Sequence, residues 1–103
     1  MARVYLSGPM TGIEEFNYPA FRTATLDLIA RGYEVISPVE CSEHLEGTGA
    51  SWADYLRADL PELVTCDGIV LLDGWHKSKG ARLEHHIAFE LGMDVQTIHE
   101  ALA

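Results

Sequence analysis

The run DGIVLLDG, residues 67–74, constrains this chain more than any other stretch. Ile69, Val70, Leu71 and Leu72 follow one another with no polar residue to turn toward water. A strand of that kind needs cover on both faces, the usual state of a central strand in a parallel sheet. Three further short runs read as strands: RVYLSG (strand 3–7), YEVISP, stopped by Pro38, and DVQTIH from Asp94. Between them the apolar period becomes helical. From Pro19 to Arg31, residues Phe21, Ala24, Leu28 and Ile29 share one face, and Gly32 ends the helix. Ser51 caps a second helix opening at Trp52, with Asp54 as its capping-box partner. Its stripe is Trp52, Leu56, Leu60 and Leu63, and Pro61 within it is expected to kink or restart the helix. Residues 78–92 form the third helix, ending at Gly92, and the tail adds a last turn. Residues 39–51, polar and carrying two glycines, read as a loop.

Strands alternating with helices imply an α/β fold: a small doubly wound parallel sheet with helices on both faces. The 103 residues, 1–103, are expected to form one domain. Ligands of such folds sit at the C-terminal ends of the strands. Three loops fall there: Ser7 to Phe16, Pro38 to Ala50 and Asp73 to Gly80.

The formal net charge of −9 argues against long nucleic acid, whose phosphates call for a basic surface. No apolar run is long enough to span a bilayer, and the N-terminus lacks a basic segment followed by an apolar one. A soluble, cytoplasmic protein with no membrane partner is expected. Cys41, Cys66 and the five histidines show no metal-ligand spacing, so neither a metal nor a cofactor is expected.

Two acids sit where acids are costly. Glu84 lies between Ala81 and Ala88 on the apolar face of the third helix, which Leu91 continues. It is either a group kept for chemistry, or a first-turn acid complementing the helix dipole or paired with Arg3 or Arg82. Asp59 lies between Leu56 and Leu63 on the second helix, either as a reactive group or as part of a D-x-x-E box with Glu62 around Pro61. Two carboxyl groups beside one cleft suggest general acid–base or glycosidase chemistry.

The surrounding loops offer ligand contacts. Ser78 and Gly80 open the third helix, where free amides with Lys77 and Lys79 make an anion site, or where Ser78 is a plain cap. Tyr5, Ser7 and Gly8 end the first strand, and Pro9, Met10, Thr11 and Gly12 continue its loop; Tyr5 is equally a core filler, and the Met10 side chain reads as packing. Asn17 is a helix cap or a ligand hydrogen-bonder. Asp73, Gly74 and Trp75 lie in the loop after the third strand, and Trp75 either stacks on a base or serves an interface. His76, His85 and His86 read as a solvated face.

The segments VYLSGPMTG, DL…CDGIVLLDG and S-x-G-x-x-x-E, in this order, resemble the nucleoside 2-deoxyribosyltransferase superfamily, including its 2′-deoxynucleoside 5′-monophosphate N-glycosidases. NYPAF and GWHKSKGARLE are similar to a group of small, often phage-encoded members. The resemblance implies a flavodoxin-like sheet of four to five strands and cleavage of an N-glycosidic bond. It implies that Glu84 is the catalytic glutamate, Asp59 the general acid, and Tyr5 and Gly8 part of the first-strand motif. Ser78 matches the phosphate-holding serine of the monophosphate glycosidases. Pro9 and Thr11 depart from the serine and arginine those enzymes carry. The expected partner is a small nucleoside or nucleotide, and the expected assembly is a homo-oligomer, a dimer or higher. The function expected is hydrolysis or deoxyribosyl transfer through a covalent glycosyl-Glu84; the alternative is a module that binds a nucleotide without cleaving it.

Overall fold

The computed structural model describes residues 2–103. Four strands form one sheet: β1 (Arg3–Ser7), β2 (Glu34–Ile36), β3 (Gly68–Leu71) and β4 (Asp94–Thr97). All pairs are parallel, in the order β2-β1-β3-β4. The two central strands are the two most buried, as a sheet covered on both sides requires. Side chains alternate across β1. Val4 and Leu6 pack with Phe21, Ala24 and Leu28 of α1 (Tyr18–Ala30) and with Ile98 and Ala101 of α5 (Ile98–Leu102). Tyr5 turns to the other face, with Leu63 of α3 (Trp52–Leu63) and Ala88 of α4 (Lys79–Glu90). The doubly wound α/β fold expected from the sequence is the fold observed, with four strands among the described residues.

Several local expectations need correction. Residues 39–51 are not all loop: α2 (Pro38–Cys41) and a 3-10 turn (Glu43–Leu45) lie in and beside them. Pro38 stops β2 but also starts α2, because the Ser37 hydroxyl accepts from Val39 N and proline is preorganised for a first helical turn. The Ser7–Phe16 loop ends in a 3-10 turn, Glu14–Asn17, where Glu15, Phe16 and Asn17 all have positive φ. Left-handed backbone costs a non-glycine residue about 1–2 kcal/mol. The turn is tied by Asn17 Nδ2 donating to the Pro9 carbonyl (2.9 Å) and by the Tyr18 hydroxyl donating to Glu46. Pro61 does not restart α3: the helix runs on through it to Leu63. Pro61 and Arg57, whose carbonyl it leaves free, are both exposed, so water can take that bond. The apolar stripes are narrower than their periods suggest, since Ile29, Trp52 and Leu91 are exposed.

One close approach shapes the ligand edge. The Ser7 carbonyl accepts from Leu72 N at 2.8 Å, which draws the ends of β1 and β3 together. A Cβ on Gly8 would stand 2.7 Å from Leu72 Cβ. Gly8→Ala is therefore expected to lower unfolding free energy by about 1–3 kcal/mol, read as a lower urea midpoint at unchanged slope. A loss below about 0.5 kcal/mol would mean that the strand ends part freely.

Candidate active site

Parallel strands place the loops after β1, β2 and β3 at one edge, and both unexplained acids lie beneath that edge. Glu84 is one turn into α4, on the face turned to the sheet, and is 6% exposed. Residues 5 and 7 project from the same face of β1 because strand side chains alternate. Their hydroxyls bracket the carboxylate: Tyr5 OH donates to Glu84 Oε2 and Ser7 Oγ to Oε1, each at 2.6 Å. Arg3, one of the expected partners, turns instead to Glu34 and Glu62, at 3.0 and 3.4 Å.

Asp59 reaches the same place from α3 and is 8% exposed. Its Oδ1 is buried and has no hydrogen-bond partner. The D-x-x-E box does not form, since α3 continues past Asp59 and Glu62 faces Arg3. Burial pushes the Asp59 carboxyl up to about 7; the nearby Glu84 charge adds to this and the Ser42 hydroxyl works against it. Burial also raises Glu84, while the Ser7 and Tyr5 hydrogen bonds pull it down. Tyr5 lies well above the ordinary phenol range, through burial and then the charges of Glu84 and Asp59. Burial and Asp59 raise the Cys41 thiol to about 11, so Cys41 stays protonated at neutral pH.

The rim is less uniform than the sequence suggested. Ser78 caps α4, its Oγ accepting from Ala81 N at 3.2 Å. Trp52 stands beside it: its Nε1 lies 3.6 Å from where a Gly80 Cβ would be, and Lys79 Nζ lies 4.1 Å above its ring centroid. Trp52 was assigned only to a core stripe. An aromatic at the first position of a helix that starts at the ligand edge was the available signal. Gly74, at φ 83°, brings its loop against Pro9, whose ring would lie 3.5 Å from a Cβ there. Asp73 is exposed and pairs with His99 of α5 at 2.8 Å. Trp75 packs on the α3–α4 side of the core and stacks on His85, centroids 4.6 Å apart. Met10 packs on the opposite core, and Thr11 and Gly12 are exposed. Asn17 holds the loop rather than capping α1 by its side chain.

Two surface concavities lie away from Glu84. One sits at the N-terminal ends of the strands, beside Ala2, Asp67, Gly68 and Asp94; the other lies beside Ile36, Cys41, Ala58 and Glu62. Neither contains a buried carboxylate, so the paired acids rather than surface shape mark the candidate site. Among the described residues, no three His, Cys, Asp or Glu side chains cluster to hold a metal, and no helix is long and apolar enough to cross a membrane.

A carboxyl raised from its ordinary value near 3.8 to about 7 binds its proton more tightly in the folded state. Its contribution to stability is therefore largest below pH ~4 and lost as pH rises toward ~7. The shift corresponds to about 4 kcal/mol, cut to about 2 by water at the cleft. Asp59→Asn is expected to match the wild type near pH 4 and exceed it by about 2 kcal/mol at pH 8 in urea unfolding. Equal stability at pH 8 would show that Asp59 ionises without penalty.

With this geometry in hand, comparison with known proteins adds two findings. A solved structure of the 2-deoxyribosyltransferase from the psychrotolerant bacterium Bacillus psychrosaccharolyticus is similar over 93% of this chain and 71% of that one, with a TM-score of 0.67 and 22% identity. At that identity the likeness is one of fold. No curated protein matches. Residues 2–97 match the family described as Domain of unknown function (DUF4406), and the chain belongs to that family.

Proposed function

We propose that this chain cleaves the N-glycosidic bond of a deoxynucleoside or deoxynucleoside 5′-monophosphate, passing the sugar to water or to a second base. The observation that carries this reading is the pair of buried acids: Glu84 with a donor on each oxygen, Asp59 with a buried oxygen that has none. The two donors on Glu84 favour its charged form against the effect of burial, whereas burial and the Glu84 charge favour a protonated Asp59, the division of roles that a retaining glycosidase needs. The fold shared with a 2-deoxyribosyltransferase supports the same reading.

In the proposed reaction a Glu84 oxygen attacks C1′ of the sugar. The C1′–N bond breaks, its electron pair goes to the base, and Asp59 delivers its proton to that nitrogen. The Asp59 carboxylate then takes a proton from water, whose oxygen attacks C1′ and frees Glu84; a second base in place of water gives transfer. The amides that open α4 after Ser78 would hold a 5′-phosphate, with Lys79 beside them. The candidate contacts from Gly8 to Gly12 would border the sugar. Residues 1–103 would act as one domain, in a homodimer or larger oligomer.

Each deoxynucleoside and its 5′-monophosphate is incubated with the protein and free base followed by chromatography. Release is expected from at least one substrate, reduced about a thousandfold or more by Glu84→Ala and about a hundredfold by Asp59→Asn. Acid-quenched wild type is expected to carry a mass increment equal to the bound sugar. Glu84→Ala turning over as fast as wild type would sink the mechanism. Binding without release would leave a nucleotide-binding module.

A further inference from the structure

Ser7 lies at the end of β1, among the candidates for touching a ligand, yet it is completely buried. Its backbone is fixed on both sides: it pairs with Leu71 in the sheet, and its carbonyl accepts from Leu72 N. Its hydroxyl donates to Glu84 Oε1 at 2.6 Å, and Ser7 has no exposed surface of its own for a ligand to meet. Tyr5, two residues earlier and also fully buried, holds the other oxygen.

We propose that Ser7 is a positioning residue: with Tyr5 it clamps both oxygens of Glu84 as a charged carboxylate and so leaves the proton of the acid pair on Asp59. The proposal rests on the reading of Glu84 as the nucleophile. One donor would fix one oxygen and leave the other free to take a proton in a site where burial favours the neutral acid. Two donors on opposite oxygens fix the carboxylate plane and favour the charge. The Ser7 bond opposes the effect of burial on Glu84, as does the Tyr5 bond. The titratable groups near Glu84 are Tyr5 from β1 and Asp59 from α3, with Cys41 from α2 beside Asp59. Of these, only Asp59 changes charge near neutral pH, at about 7.

The test reads the carboxyl itself. In protein labelled with 13C at glutamate side chains, the Glu84 resonance is assigned by its loss in Glu84→Gln and titrated in wild type, Ser7→Ala and Ser7→Thr. Ser7→Ala is expected to raise the Glu84 midpoint by about one pH unit, and Ser7→Thr, which keeps the hydroxyl, to restore it. In base release, Ser7→Ala is expected to lower kcat about tenfold with KM nearly unchanged, and to move the acid limb of the profile upward by the same unit. If Ser7→Ala does not fold, Ser7→Cys supplies a weaker donor of similar size, and an intermediate midpoint is expected. A wild-type midpoint in Ser7→Ala, or in Ser7→Cys where that variant is used, would overturn the proposal. So would a raised KM at constant kcat, the mark of a substrate contact. A wild type that releases no base would defeat the glycosidic reading instead, while the carboxyl titration would still decide the clamp.

Discussion

The buried carboxylate of Glu84 ties α4 to the central strand β1. Moving a carboxylate out of water costs several kcal/mol unless its oxygens are satisfied. Here both are, by hydroxyls on a single strand. The arrangement requires β1 to present residues 5 and 7 to α4, and α4 to present residue 84 between Ala81 and Ala88. A one-residue slip of β1 would replace the two hydroxyls with the side chains of Val4 and Leu6. It would also turn Tyr5 toward α1, where Val4 and Leu6 now meet Phe21 and Leu28. The polar contact and the apolar core therefore specify the same register, and neither tolerates another.

That dependence explains what was legible in the sequence. The periods were: the β3 run demanded cover on both faces, and the 81–84–88 spacing placed an acid on a buried face. Asp59 was visible by the same rule. Its partners were not, since the bonds that hold Glu84 join residues 77 and 79 positions apart, beyond any local pattern. Ser7 reads as a ligand contact because it ends a strand, and only packing shows that it is fully buried with its hydroxyl on Glu84. Asp73 reads as a site residue from its loop; that its carboxylate meets His99 of α5, brought alongside by the last strand, was not legible there. The α2 turn was missed for a different reason. Ser-Pro ends a strand and begins a helix with the same two residues, and a reading that stops at the first meaning loses the second.

The rim carries a tension that bears on the substrate. The chain has a net charge of −9, and Glu43 and Glu46 lie in the segment before α3. Against them stand the dipole of α4 and two lysines, one of which rests over the Trp52 ring. The Ser78 hydroxyl already accepts from Ala81 N. A phosphate at that terminus would keep this cap, because the hydroxyl can accept from the helix while donating outward, and would meet the amides of Lys79 and Gly80. Long-range charge disfavours an anion, while the short-range donors at the start of α4 would favour one. That combination suits a small ligand held at one point and suits a polyanion poorly.

On the proposed reading, the two acids divide roles between like groups in one site. Glu84 and Asp59 are both carboxyls, both nearly buried, and close enough for each charge to raise the cost of the other. Symmetric surroundings would let them share a proton without preference. The surroundings are not symmetric: two donors aim at Glu84, and one oxygen of Asp59 has none. Charging Glu84 first makes Asp59 harder to charge, and a protonated Asp59 makes the Glu84 charge easier to keep. The clamp on one acid thus sets the protonation of the other. On the proposed reading, the hydroxyls of Tyr5 and Ser7 prepare the nucleophile and, through it, the acid that must release the base.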